Sequence, residues 1–133
     1  MASVRVKEYM VSQPVTVLHS ASIAEAARAI TEHRVSGVVV VNEAGGVVGM
    51  LSELDCLRIL LSEAYNGQAM GGEAVALVMT TPVTTCAADA DIISIAESML
   101  ENKQRRRPVV DQGKLVGQIT CRQLLGALLD FES

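Results

Sequence analysis

The sequence predicts a mixed α/β (α+β) protein built from two pseudo-symmetric β-α-β-β-α repeats packed through their sheets. Three observations lead to this prediction. The chain repeats itself, with Met10 and Met79 opening two similar segments. Each half then carries apolar residues at helical spacing, and each half ends in two β-forming runs joined by a short turn and followed by a leucine-rich segment.

The repeat extends through the first strand and the first helix of each half. The segment MVSQPVTV from Met10 returns from Met79 as MTTPVTT. Ser22 with Glu25 forms a capping-box pattern, and Asp91 is an N-cap candidate, so both helices have a start signal. The helices share apolar residues at i, i+3, i+4 and i+7 spacing, which are Ile23, Ala26, Ala27 and Ile30 in the first half and Ile92, Ile95, Ala96 and Met99 in the second.

A hairpin and a leucine-rich helix complete each half. The β-forming runs span 38–41 and 47–51 in the first half and 108–110 and 115–119 in the second. A loop of glycine and small residues, 64–72, separates the halves, so we divide the chain into repeat 1, residues 1–66, and repeat 2, residues 67–133. A half of about 60 residues buries too little surface to be stable by itself, so the two sheets are expected to share one core.

Composition excludes several classes of protein. Of 133 residues 50% are hydrophobic and 20% are charged, with a net charge of -4, which is incompatible with native disorder. No stretch without Asp, Glu, Lys or Arg, 74–88 among them, reaches the roughly 18 to 20 residues that span a bilayer, and no secretory signal pattern is present. We therefore expect a soluble, cytoplasmic protein without a membrane partner. The three cysteines form no CxxC motif and are expected to be buried thiols, and neither histidine has metal-ligand spacing, so no metal site is predicted.

Several cues occur twice in the same order and together resemble a tandem pair of cystathionine β-synthase (CBS) domains, the Bateman module. They are an M-x-P-V-T-like start, a β-run ending in Asn or Asp, a turn, and V-G-x-h-[ST] entering a helix, where h is apolar. The resemblance covers residues 3–131. It implies a regulatory module, not an enzyme, which binds adenosine-containing ligands in clefts between its sheets and pairs into homodimers through its helices. It also implies a sensor that acts on a separate effector protein.

The resemblance further implies that an [ST]-x-x-[DN] motif contacts the ribose and phosphate of the ligand. Repeat 1 has this motif as Ser52 and Asp55, whereas repeat 2 has Thr120 and Gln123. A carboxylate accepts hydrogen bonds from both hydroxyls of a ribose, and the helix N-terminus beside it offers free N–H groups to phosphate. The alternative is that each motif only caps its helix, because the spacing follows the capping box.

Three adjacent arginines, Arg105, Arg106 and Arg107, precede a strand of repeat 2. Guanidinium groups bind phosphate in bidentate fashion, and side chains alternate in direction along an extended segment. The resemblance implies that basic residues at this position reach the phosphates of a nucleotide whose ribose is held by the other repeat. The alternative is a solvated charge run.

A second, reciprocal site would combine the repeat 2 motif with the basic residues of repeat 1. Thr120 and Gln123 would then meet His33 and Arg34, and we expect weaker binding there because the fixed positive charge is smaller. His33 could instead stabilise the end of its helix through the dipole. Candidates for the adenine-binding wall are aliphatic and backbone groups, namely Thr16, Val17, Gly37, Val38 and Val39, and the alternative role of the valines is core packing.

These residues favour an adenine nucleotide of the AMP, ADP or ATP type, with S-adenosylmethionine and NAD as alternatives and no required cofactor. Only 2% of the residues are aromatic, which argues against stacked single-stranded nucleic acid. No pairing of nucleophile with base was found, which argues against catalysis. The rival hypothesis is a ligand-free dimerisation or docking scaffold.

Overall fold

The structure is a computed structural model that describes residues 4–131. It divides into two compact units. The central unit comprises residues 15–83, and the terminal unit comprises residues 1–14 together with 84–133. These units differ from the sequence repeats 1–66 and 67–133, because each unit includes a short segment from the start of the other repeat.

The central unit contains a three-stranded sheet, two helices and one 3-10 turn. Strand β3 lies in the middle, parallel to β2 and antiparallel to β4. The elements are β2 (Thr16–Leu18), α2 (Ile23–His33), β3 (Gly37–Val41), β4 (Val47–Ser52), α3 (Glu53–Tyr65) and the 3-10 turn Val75–Leu77.

The terminal unit has the same order of strands and helices, preceded by two short N-terminal elements. Its sheet has the order β1-β7-β6-β5, with β6 parallel to β5 and antiparallel to β7. The elements are α1 (Val6–Tyr9), β1 (Val11–Ser12), β5 (Cys86–Ala87), α4 (Ile92–Glu101), β6 (Arg106–Asp111), β7 (Lys114–Thr120) and α5 (Cys121–Asp130). The β-α-β-β-α order predicted for both halves is confirmed as β2-α2-β3-β4-α3 and β5-α4-β6-β7-α5.

The predicted helix starts are also confirmed. Ser22 Oγ accepts a hydrogen bond from the Glu25 N–H at 3.1 Å, and Asp91 Oδ2 accepts one from the Ser94 N–H at 3.0 Å. Each side chain satisfies a backbone donor in the first turn that the helix itself leaves without a partner.

The expectation of one shared core is wrong, because each unit has its own apolar core. The leading segments of the repeats are exchanged between the two cores. Val6 is fully buried in the core of the terminal unit, whereas its repeat equivalent Val75 is fully buried in the core of the central unit. The main chain follows the same exchange, because β1 pairs with β7 and the Ile23 N–H donates to the Glu73 carbonyl. Each unit is therefore complete only with a segment from the opposite repeat.

Candidate functional site

Ser52 and Asp55 lie where β4 ends and α3 begins. Ser52 Oγ accepts the Asp55 N–H at 3.1 Å, and Asp55 Oδ2 accepts the Ser52 N–H at 3.1 Å. These reciprocal bonds are a capping box, so the capping role offered as the alternative for this motif is confirmed. The Asp55 side chain is nevertheless 30% exposed, and its other oxygen, Oδ1, lies 3.4 Å from Arg58 Nη1. A carboxylate at the N-terminus of a helix therefore remains open to solvent.

The sheet of the central unit places three of the five adenine-binding candidates on the same face as Ser52. Gly37 is the register partner of Ser52, and Thr16 is the register partner of Val39. Paired residues, and alternate residues along a strand, share one face of a sheet. Thr16, Gly37, Val39 and Ser52 consequently lie on one face.

The other two adenine-binding candidates lie on the opposite face, which carries the core. Val38 is 1% exposed and belongs to the apolar cluster, and Val17 packs against that cluster. For these two valines the structure gives the core role that was the alternative, so their side chains do not extend from the face that carries Ser52.

In the terminal unit, Thr120 and Gln123 occupy the equivalent junction between β7 and α5. The Thr120 N–H donates to Gln123 Oε1 at 3.0 Å, and the Thr120 hydroxyl also contacts this oxygen. Gln123 therefore supports the start of α5 as Asp55 supports the start of α3, but with a neutral amide. Arg106 is the register partner of Thr120, so these two residues share the sheet face away from the core.

The three arginines have three different environments. Arg105 is exposed, Arg106 is half-buried, and Arg107 is 3% exposed. Arg107 shares the core face of β6 with Val109, and its Nε and Nη2 atoms donate to Gln104 Oε1 and to Ser98 Oγ. The assignment of all three arginines to phosphate remains a prediction, but Arg107 has neutral partners inside its own unit. The sequence did not single out Ser98 or Gln104; comparison of each with its repeat equivalent would have been the only signal.

The basic residues of repeat 1 lie at the end of α2. His33 Nδ1 lies 2.9 Å from the Ala29 carbonyl oxygen, within the last turn of the helix. Arg34 ends the helix with φ 55° and ψ 45°, the left-handed conformation, and its N–H donates to the Ile30 carbonyl. Arg34 also lines an open cavity of about 330 Å³ in the central unit, together with Ile30, Thr31, Val35, Ser36 and Glu53.

The expectation of three buried thiols is correct for two of them. Cys56 and Cys86 are buried, whereas Cys121 is exposed because it is the first residue of α5 and follows the junction at Thr120. Burial raises the pKa of both buried thiols, and at Cys86 the nearby charge of Arg107 opposes that rise. Among residues 4–131 no group of three or more His, Cys, Asp or Glu side chains is placed to hold a metal ion.

Comparison with known proteins decides the family. The model of the CBS domain matches this chain twice, at residues 6–62 and at residues 74–130. The chain belongs to the CBS-domain family. It is a tandem CBS pair, as the repeated cues predicted, with two α/β repeats.

Relatives of known structure share the fold over nearly their whole length. The plant CBS-pair protein CBSX2 of Arabidopsis thaliana, crystallised in complex with AMP, is 28% identical with a TM-score of 0.83, covering 97% of this CBS pair and 98% of that chain. The CBS domain pair of protein MJ0100, in complex with 5'-methylthioadenosine and S-adenosyl-L-methionine, is 27% identical with a TM-score of 0.78, covering 99% and 100%.

Among curated proteins, the CBS domain-containing protein YhcV of Bacillus subtilis is 31% identical over 128 residues, which are 96% of this chain and 88% of that protein. Other curated relatives are longer. This CBS pair spans 63% of a relative from Methanopyrus kandleri and 42% of one from Methanocaldococcus jannaschii. Within residues 4–131 every helix is too short or too polar to cross a bilayer.

Proposed function

We propose that this CBS pair is a regulatory module that binds one adenine nucleotide of the AMP, ADP or ATP type and signals to a partner protein by a change of conformation. The observation that carries the proposal is the partly exposed Asp55 carboxylate at the N-terminus of α3, in a fold whose relative CBSX2 was crystallised with AMP. The complex of the MJ0100 pair with S-adenosylmethionine keeps that ligand as an alternative, and NAD is a further one.

Asp55 and Ser52 are proposed to hold the ribose. The capping bond occupies Oδ2 of Asp55 with one N–H, which leaves further lone pairs on the carboxylate for the two hydroxyls of a ribose. The adenine ring would lie against the sheet face beside Thr16 and Gly37, where backbone groups can read its edge, because Val39 on the same face is fully buried. The capping role and the ribose role are thus compatible at one side chain.

Arg105 and Arg106 of the other CBS domain are proposed to bind the phosphate. Arg105 is exposed, and Arg106 lies on the sheet face away from the core of its unit. Two cationic forks provide strong bidentate bonds to phosphate oxygens. One nucleotide that contacts both CBS domains would bind one conformation of the pair more tightly than another. Such a difference in affinity is what a shift of conformational populations requires.

A reciprocal site with Thr120, Gln123, His33 and Arg34 is proposed to bind more weakly. The Gln123 amide oxygen already accepts the Thr120 N–H, and an uncharged amide is a poorer acceptor for a diol than a carboxylate. A ligand with less phosphate would suit this site.

A ligand-free scaffold is the second candidate function, and the leucines of α3 and α5 favour it. Leu54, Leu57 and Leu61 on α3 are each at least 60% exposed and follow helical spacing, and α5 exposes Leu125, Leu128 and Leu129. Exposed apolar stripes of this kind form contacts between proteins, so a homodimer through these helices is proposed under either function.

A thermal-shift titration of the purified chain against AMP, ADP, ATP, S-adenosylmethionine and NAD, at fixed salt and magnesium, tests the proposal. A ligand at about 100 times its Kd stabilises the native state by about 2.7 kcal/mol. For a protein of this size the Tm rises by roughly 10 °C. GMP serves as the control for the base, and Arg105→Ala serves as the control for the phosphate.

A saturable shift with one adenine ligand, lowered in the Arg105→Ala variant, supports nucleotide sensing. The absence of a shift with all five ligands favours the scaffold. In that case Leu57→Glu and Leu125→Glu should convert a dimer to a monomer in light scattering.

A further inference from the structure

Arg107 is a buried cation whose hydrogen-bond partners are neutral. Its side chain is 3% exposed, its Nε lies 3.1 Å from Gln104 Oε1, and its Nη2 lies 3.0 Å from Ser98 Oγ. Burying a guanidinium is unfavourable unless its donors are satisfied, and a hydrophobic residue of similar size is often as stable or more stable at such a position. Core stability alone therefore does not account for an arginine here.

The central unit supplies an internal comparison, because the same three positions are all apolar there. Arg107 faces Ile119 in register as Val38 faces Leu51, and the helices α4 and α2 keep an offset of 69 from Asp91 and Ser22 onward. Arg107, Ser98 and Gln104 thus correspond to Val38, Ala29 and Val35, which lie in or against the apolar cluster of the central unit. One repeat has a polar trio where the other has an apolar trio.

The polar trio includes the middle residue of the turn 103–105, because Gln104 lies between the exposed basic residues Lys103 and Arg105. Lys103 has φ 54°, the left-handed conformation, and the N–H of Gln104 donates to the Met99 carbonyl at 2.9 Å. The Arg105 carbonyl accepts the Cys121 N–H at 3.0 Å. Gln104 is therefore held through its backbone by α4 and through its side chain by Arg107. The central unit has the same backbone bonds, from the Val35 N–H to the Ile30 carbonyl and from the Glu53 N–H to the Ser36 carbonyl, so the side-chain bond is what repeat 2 adds at this turn.

We propose that Arg107 is a positioning residue, which braces the turn 103–105 through Gln104 and Ser98 and so sets the direction in which Arg105 and Arg106 leave the chain. This role rests on the proposed nucleotide binding and replaces a direct contact of Arg107 with phosphate. A binding group that is fixed before the ligand arrives loses less conformational freedom on binding, so the brace raises the affinity for the phosphate but not for the nucleoside.

The test replaces the polar trio with its counterpart from the central unit, as the triple variant Arg107→Val, Ser98→Ala, Gln104→Val. We expect it to fold with a Tm at or above that of the wild type, because the three apolar residues already pack in that arrangement in the other repeat. By isothermal titration, the affinity for AMP should fall about 10-fold, which corresponds to one lost charged hydrogen bond, whereas the affinity for adenosine should stay unchanged.

A variant that is partly unfolded or misfolded would have a lower affinity for both ligands. The ratio of the Kd values for AMP and adenosine therefore separates a positioning role from a structural one. Adding Arg105→Ala to the triple variant should cost less than Arg105→Ala costs in the wild type, because the two changes act on the same interaction. Equal losses for AMP and adenosine, an unchanged affinity for AMP, or full additivity with Arg105→Ala would each overturn the assignment.

Hydrogen exchange keeps the two proposals distinguishable if the wild-type chain binds neither AMP nor adenosine, an outcome that refutes the proposed nucleotide function. The amides of residues 103–106 should then still exchange about 10-fold faster in the triple variant than in the wild type, because the brace is absent. Exchange at the wild-type rate would refute the bracing role of Arg107 itself.

Discussion

Replacement of Asp55 separates its two roles, because the cap needs only one oxygen whereas the ribose site needs a charge. Asp55→Ala removes the acceptor that lies 3.1 Å from the Ser52 N–H. Loss of such a capping bond costs about 1 kcal/mol. For a chain of this size the Tm of the ligand-free protein should fall by about 3–5 °C. The contact with Arg58 adds little, because the side chain of Arg58 is 74% exposed.

Asp55→Asn retains one oxygen for the Ser52 N–H, so the Tm of the ligand-free protein should change by less than about 2 °C. The ribose hydroxyls would lose a charged acceptor, and a hydrogen bond to a charged group contributes about 1.5–3 kcal/mol. The affinity for the nucleotide that gives a saturable shift should therefore fall roughly 10- to 100-fold, as measured by isothermal titration.

Glu25→Ala is the matched control for this pair of variants. Glu25 occupies the same third position of α2, and its Oε1 accepts the Ser22 N–H at 3.3 Å. The control should lower the Tm while leaving the affinity unchanged. If Asp55→Asn binds the nucleotide as tightly as the wild type does, the carboxylate is only a cap and the ribose assignment is wrong.

Three further predictions concern the two units. Gly117→Ala would place a methyl group 2.9 Å from the Val11 carbonyl oxygen and 2.5 Å from Met10 Sδ, so β1 must move. Urea unfolding should show that the free energy of unfolding falls by about 1–3 kcal/mol. Gly49→Ala should lower it less, because the three nearest atoms all belong to the movable side chain of Met79. Burial raises the pKa of Cys56 and Cys86, so near pH 8.5 the folded state keeps thiol protons that the unfolded state releases. The Tm should therefore be independent of pH below about pH 8 and fall as the pH rises above about 8.5. That fall should be smaller in Cys86→Val, which introduces the residue found at Val17. Val17 is the equivalent position because it pairs with Val40 as Cys86 pairs with Val109. An identical pH profile would contradict this cause. Tyr9→Phe removes the 2.7 Å bond from the Tyr9 hydroxyl to Asp130, and the amides of residues 6–10 should then exchange faster with solvent, whereas exchange in the central unit should not change.

The sequence predicted those parts of the fold that have local causes. Ser22 and Asp91 were predicted to start helices because the residue that caps a helix lies beside it in the chain. The hairpins were predicted because their turns separate two β-forming runs by only a few residues.

The exchange of leading segments could not be predicted, because Val6 and Val75 stand in equivalent patterns. Either segment offers similar apolar residues to either core, so the repeated sequence pattern does not indicate which unit each segment joins. Only the structure shows that Val6 belongs to the terminal unit and Val75 to the central unit.

The candidate site was predictable in its residue types but not in the direction of each side chain. The run of three arginines has uniform chemistry, and only the strand register shows that Arg107 faces the core while Arg106 faces away. At Asp55 the helix cap and the ribose site require the same sequence spacing. The hydrogen bonds between Ser52 and Asp55 therefore confirm the capping role and do not test the ribose role.

Because the leading segments are exchanged, the two units can fold at different times during synthesis. The central unit is continuous from 15 to 83 and can close as soon as that stretch has left the ribosome, whereas the terminal unit needs residues 4–12 to meet residues 86–130. At roughly 5–20 residues per second, the N-terminal segment therefore waits about 5–20 s for its partner strand β7. In that interval Val6 and the edge of β1 are available to neighbouring nascent chains. Residues 4–12 are thus the segment that a chaperone has most reason to protect.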